Sequence, residues 1–175
     1  MRWDDLFEDL DARLSHARRL ERDAEVADRR DDDVASVDLL ARLLATDGEL
    51  SLQLLDGSWV EGRVRAAGPG WVLLSAGSPV RRQVLVPTAA VCAVRGLSAA
   101  SLPPGAVVAR RSLLLALRAL AAAGEGVLVR TRAGDVRGRL ARVGADHVDV
   151  LVRAGVDQSV VTVPFASLLN VTESS

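Results

Sequence analysis

The chain has 175 residues, with 22 Lys and Arg against 23 Asp and Glu and a formal net charge of -1, so as a whole it is neither a polyanion binder nor an acidic tail. Hydrophobic residues make up 49% and aromatics only 3%, with no Lys, Ile or Tyr; a core can form, but it must be built from Leu, Val and Ala, and Arg supplies all the basic charge. The single cysteine, Cys92, excludes an internal disulfide and a cysteine-rich zinc site.

The charged opening Met1-Arg2-Trp3-Asp4-Asp5 lacks the apolar segment of a signal peptide. From Trp3 to about Asp28 the pattern is helical: Trp3, Leu6, Phe7, Leu10 and Leu14 fall on one stripe. Asp4, Asp5 and Glu8 sit where the helix dipole favours them. Arg29 to Asp33 breaks this helix, and a second is expected over 36–45, ended by Asp47-Gly48. Five strands follow, at 50–55, 59–65, 71–75, 83–86 and 91–94, with Asp56-Gly57 as the first hairpin turn. Residues 98–110, with Pro103-Pro104, form a linker. A third helix is expected over 111–123. This is the longest apolar stretch; Arg118 interrupts it, and it is short of the roughly 20 residues that span a bilayer. Strands are then expected at 127–132, 136–142, 147–152, 160–163 and 168–171. The expected fold class is α+β, mainly β, in four parts: residues 1–33 as an amphipathic helix, 34–97 as one small barrel with its leading helix, 98–110 as linker, and 111–175 as a second barrel with its helix.

The two halves correspond at a period near 77 residues. Leu40 and Leu43 match Leu117 and Leu120. Gly57, Gly62 and Gly68 match Gly134, Gly138 and Gly144. Trp71-Val72 matches His147-Val148, Val84-Leu85-Val86-Pro87 matches Val161-Thr162-Val163-Pro164, and Val91 and Val94 match Leu168 and Val171. So long a period indicates domain duplication rather than a solenoid.

A helix followed by five short strands, with Gly57-x-x-x-x-Gly62-x-Val64, Gly134-x-x-x-Gly138-x-Leu140 and the Val86-Pro87 and Val163-Pro164 steps, resembles the Sm-like small barrel, whose outline SH3-like barrels share. The glycines permit a sharply bent second strand, and Pro suits a 3-10 turn between the last two strands. The resemblance implies two tandem five-stranded barrels whose fourth and fifth strands can pair with another barrel. It does not carry over the RNA pocket of that family: Val72 and Val148 stand where a base-reading Asn is expected, and Thr88-Ala89-Ala90 and Phe165-Ala166-Ser167 replace the basic pair before the last strand. The opening Met1 to Leu10 also resembles uncharacterised actinobacterial proteins, some labelled Fis-like regulators; those regulators end in a helix-turn-helix, whereas this chain is expected to end in strands.

Charge is unevenly placed: residues 1–33 carry 7 Arg against 12 Asp and Glu, and residues 101–175 carry 9 against 6. Arg130, Arg132, Arg137 and Arg139 alternate along one hairpin, so all four are expected on one face, extended by Arg142 and Arg153. This is a candidate patch for nucleic acid or an acidic partner, set against a solvated face in an Arg-rich chain. The stripe Trp3, Leu6, Phe7, Leu10 and Leu14 is a candidate face for docking in cis, pairing with another copy, or capturing a different protein. Cys92 is expected to be buried and inert, Trp59 and Trp71 to pack in the core or at a barrel end, and His16 and His147 to lack metal-ligand spacing. No nucleophilic triad, P-loop or dinucleotide fingerprint occurs. The expectation is therefore a soluble, cytoplasmic, non-catalytic binding or scaffold protein with no cofactor, small-molecule substrate or membrane partner. It would act through a protein partner or as a homo-oligomer. The alternative is a sequence-independent RNA- or DNA-binding or regulatory protein using the Arg hairpin.

Overall fold

The computed structural model describes residues 37–77, 82–154 and 157–174. The Trp3, Leu6, Phe7, Leu10 and Leu14 stripe, and the helix expected over 1–33, lie outside the described residues. So does His16.

The first repeat opens with the short helix α1 (Leu39–Leu44), which buries Ala41 and Leu43. Five strands follow: β1 (Glu49–Leu54), β2 (Trp59–Gly68), β3 (Trp71–Ala76), β4 (Arg82–Pro87) and β5 (Val91–Arg95). A four-residue helix, α2 (Ala106–Ala109), lies in the Pro-rich linker. The second repeat opens with α3 (Leu113–Ala123), where the Ser112 hydroxyl accepts from the Leu115 N–H and Gly124 ends the helix at φ 68°. Its strands are β6 (Gly126–Thr131), β7 (Gly134–Val143), β8 (His147–Ala154), β9 (Asp157–Pro164) and β10 (Leu168–Glu173).

The same local devices occur twice. β2 and β7 each run ten residues and each carry a bulge, after Val64 and after Leu140. Next to each bulge the partner strand passes against a glycine: a Cβ on Gly62 would collide with the Ser75 carbonyl, and one on Gly138 with the Leu151 carbonyl. Pro87 and Pro164, at φ -62° and -63°, lead into the 3-10 turns Thr88–Ala90 and Phe165–Ser167.

The assembly of the strands departs from the expected pair of barrels. All ten belong to one antiparallel sheet in the order β5-β1-β2-β3-β4-β10-β6-β7-β8-β9, and the sheet is not closed. Each repeat contributes five neighbouring strands in equivalent order, and the two sets merge because β4 pairs with β10, with Val171 opposite Leu85 and Thr172 opposite Val84. Residues from Leu39 onward form one compact unit.

Two cores lie on either side of this junction, and each borrows residues from the other repeat. The first contains Leu43, Leu50, Leu52, Leu54, Val72, Leu74, Val84 and Val86 together with Leu169. The second contains Leu117, Val127, Val129, Leu140, Val148 and Val150 together with Trp71 and Leu85. Successive side chains of a strand face opposite ways, so β4 and β10 feed both cores. Val84, Leu85, Val86 and Pro87 are all buried, as are Leu168, Leu169, Asn170 and Val171, giving the continuous apolar run of strands covered on both faces. Trp71 is fixed by its indole N–H, which donates to the Arg111 carbonyl at 2.6 Å.

Leu169 enters the first core through a bulge. Leu168 stands opposite Thr131 and Asn170 opposite Arg130, leaving Leu169 as the extra residue; it is fully buried. The first repeat has the same bulge, with Leu54 opposite Val91 and Gln53 opposite Ala93, and its extra residue is Cys92. Cys92 is exposed, which corrects the expectation of a buried thiol: the bulge turns it away from its own core, and among the described residues no strand pairs with β5 on its far side. Leu169→Ala should therefore destabilise by about 2–5 kcal/mol, while Cys92→Ala should stay within about 0.5 kcal/mol. Urea unfolding of both variants checks this contrast between equivalent positions.

Candidate interaction edges and an arginine cleft

The sheet ends on two strands that are each paired on one side only. β5 pairs with β1, and β9 pairs with β8. Their outward backbone groups have no ladder partner among the described residues, and such edges accept further strands unless covered or charged. β9 is mostly exposed, with Val160 at 58% and Val161 at 37%. On β5, Cys92, Ala93 and Arg95 are exposed. The Arg95 guanidinium lies over the Trp59 ring, 4.2 Å from its centroid, a cation–π contact between β5 and β2. Trp59 is thus a surface stacking partner, whereas Trp71 is a core residue.

The arginine hairpin is organised by cross-strand pairing. Arg139 stands opposite Gly126, Arg137 opposite Leu128 and Arg130 opposite Asp135. These three arginines share the outward face, because Val127, Val129 and Leu140 point into the second core. Arg132 does not join them; it lies in the turn beyond Thr131. Arg142 stands opposite Asp149 across β7 and β8. Arg153, on β8, does extend the group: Arg137, Arg139 and Arg153 line a cleft of about 570 Å³, with Leu151 and Gly126 in its wall. Among the described residues no acidic side chain forms an ion pair with these three. The expected single patch of Arg130, Arg132, Arg137, Arg139 and Arg142 therefore divides: Arg137 and Arg139 join Arg153 in the cleft, and Arg130, Arg132 and Arg142 lie outside its lining.

Arg130 has a structural task. Its guanidinium lies 3.5 Å from Asp56, in the β1–β2 turn of the other repeat, and 4.0 Å from Asp135. Asp56 also accepts from the Ser58 hydroxyl at 2.6 Å and the Ser58 N–H at 3.0 Å. These two bonds, and then the Arg130 charge, hold its carboxyl below the usual aspartate value.

A smaller cleft of about 270 Å³ runs beside β9. Thr131, Val136, Val161, Val163 and Ser167 line it, with Arg132 at its side. At the far end of β8, His147 is partly exposed and its Nδ1 lies 2.8 Å from the Asp146 carboxylate. Asp149 instead accepts from the Thr162 hydroxyl at 2.7 Å. Among the described residues no group of three or more His, Cys, Asp or Glu could hold a metal ion, and no helix is long and apolar enough to cross a membrane.

Sequence reasoning found the arginine alternation and the strand edges. It missed Arg130 as an inter-repeat tie and Cys92 as an exposed bulge; the mismatch between Leu169 and Cys92 at equivalent positions was the available signal.

Asp56→Ala should lower stability by about 1 kcal/mol or less, as for a partly exposed ion pair. A lowered folded-state pKa stabilises fully above the unfolded value, here 3.8, and the benefit fades as pH falls through the lower folded value. The gap between wild type and variant should therefore be constant near neutrality and vanish in acid, as read by unfolding midpoints across pH. Neither a scan against protein-family models nor a search of curated proteins finds a match to this chain.

Proposed function

We propose that this protein is a non-catalytic scaffold acting through protein–protein contacts, with self-association first among them. The observation that carries the reading is the open sheet: an edge strand at each end, one of them presenting Val160 and Val161 to solvent. Soluble proteins normally shorten, charge or cover such edges. β9 has no charged side chain from Gln158 to Pro164, so nothing on it repels an incoming strand. Each repeat is, in this reading, an open Sm-like module. A leading helix, five strands in equivalent order, glycine-bent second strands and Pro-led 3-10 turns support that assignment.

The test is size-exclusion chromatography with light scattering on the full chain over a range of concentrations, recording absorbance at two ultraviolet wavelengths. The expected result is a multimer free of nucleic acid. A monomer at every concentration that also captures no protein partner would overturn the reading.

A second reading is favoured by the cleft of Arg137, Arg139 and Arg153. Three guanidinium groups with no acidic partner among the described residues suit phosphate oxygens, and the absence of aromatic side chains in the cleft lining favours backbone contact over base stacking. On this reading the protein binds nucleic acid without sequence preference. Replacing all three arginines with Ser should abolish binding to a short nonspecific duplex and remove its salt dependence. Binding that survives the triple substitution would rule the cleft out.

A further inference from the structure

The cleft of Arg137, Arg139 and Arg153 lies in a fork between two hairpins. β7 pairs with β6 down to Gly134, and β8 pairs with β9 out to Ala154 opposite Asp157. The ladder joining β7 to β8 stops sooner, at Arg139 opposite Leu151. Past that pair the two hairpins are no longer joined, and the cleft of about 570 Å³ occupies the gap. Gly138 sits at the fork, where a Cβ would collide with the Leu151 carbonyl. Arg137 and Arg139 come from one wall and Arg153 from the other, while the half-buried Leu151 and Val152 supply an apolar side.

The first repeat carries the opposite charge at the same place. Glu49 stands opposite Arg63 as Gly126 stands opposite Arg139. Glu61 precedes the bent Gly62 as Arg137 precedes Gly138. β3 ends at Ala76, paired with both Gly62 and Arg82, so the counterpart of Arg153 is Gly77, past the end of the strand. Glu49, Glu61 and Arg63 sum to -1, whereas Arg137, Arg139 and Arg153 sum to +3. The strand framework therefore does not require arginine here. Like charges gathered on neighbouring strands cost stability, and the second repeat alone gathers them.

We infer that this cleft binds a compact ligand bearing two or more linked phosphoryl groups, with any organic remainder lying against Leu151 and Val152. A guanidinium forks onto two phosphate oxygens. A diphosphate carries oxygens and charge enough for three such groups, and a single carboxylate does not. The volume of about 570 Å³ falls within the range of small-molecule sites, roughly 300–1,000 Å³. The surroundings set the length of the ligand. Outside the cleft, Asp135 lies 4.0 Å from Arg130, Asp149 stands opposite Arg142, and Asp157 stands at the hairpin end. A duplex backbone needs cations repeated along its track, and here the track is interrupted by carboxylates. The inference shares with the nucleic-acid reading only the premise that these arginines meet phosphate oxygens, and it leaves the scaffold reading untouched.

The test is isothermal titration calorimetry of the full chain at physiological ionic strength. Its probes are inorganic pyrophosphate, orthophosphate, adenosine diphosphate and a short nonspecific duplex. Pyrophosphate should saturate one site per chain, and orthophosphate should bind about tenfold more weakly or worse. Adenosine diphosphate that competes with pyrophosphate and binds more tightly identifies an organic diphosphate; tighter binding of pyrophosphate identifies an inorganic one. Arg137→Glu, which installs the residue of the first repeat, should abolish binding, and Arg153→Ser should weaken it about tenfold. Arg63→Ser, at the equivalent place in the first repeat, should change nothing. Arg137→Ser serves if the far-ultraviolet circular dichroism of the Glu variant departs from that of the wild type. No saturable binding of either diphosphate, equal affinity for orthophosphate, or binding that survives Arg137→Glu with Arg153→Ser overturns the inference. Duplex bound through the three arginines by a chain that ignores pyrophosphate overturns it while upholding the nucleic-acid reading. Pyrophosphate bound by a chain that ignores the duplex upholds it and removes that reading.

Discussion

The pairing of β4 with β10 is the constraint on which the rest of this molecule depends. Without it, each repeat would be a five-stranded sheet with an exposed edge and an incomplete core. With it, two strands are covered on both faces, and each core receives residues from the other half of the chain. Leu169 completes the first core, and Trp71 and Leu85 complete the second. Neither repeat can then lose its packing without exposing apolar surface in the other, so the duplicated halves are coupled energetically as well as covalently.

Duplication supplied the geometry, and substitution at equivalent positions assigned the roles. Positions facing the junction hold Trp71, Leu85 and Leu169; their counterparts facing outward hold His147, Thr162 and Cys92. The pattern follows from burial. A large apolar side chain stabilises where neighbours enclose it and is a liability on an open edge. The same division appears in charge, since the Arg130 and Asp56 pair across the junction has uncharged counterparts. The exception is β9, where Val160 and Val161 stand exposed, and this is what gives the outer edges functional interest.

The arginine hairpin shows what strand periodicity can and cannot predict. Alternation placed Arg130, Arg137 and Arg139 on one face, and pairing kept them there. Their electrostatic surroundings then separated them. Arg130 meets Asp56, more than seventy residues earlier in the chain, while Arg137 and Arg139 meet Arg153 from the adjacent strand. A face shared in sequence is therefore not yet a site; the site is decided by which counter-charges the fold brings near.

Local physics fixed much of this protein from its sequence. Alternating Val and Leu with Gly-marked turns located all ten strands to within a few residues, the helix expected over 111–123 is α3 to within two residues, and the Pro steps announced the two 3-10 turns. The 77-residue correspondence revealed the duplication. All of these depend on contacts between residues close in the chain. The merging of two expected barrels into one open sheet was decided only by tertiary structure, because β4 and β10 lie about ninety residues apart and either could equally have pairing partners elsewhere. Exposure of Cys92 was settled the same way. An identical bulge buries Leu169 and exposes Cys92, and the difference lies wholly in whether another strand stands beside it.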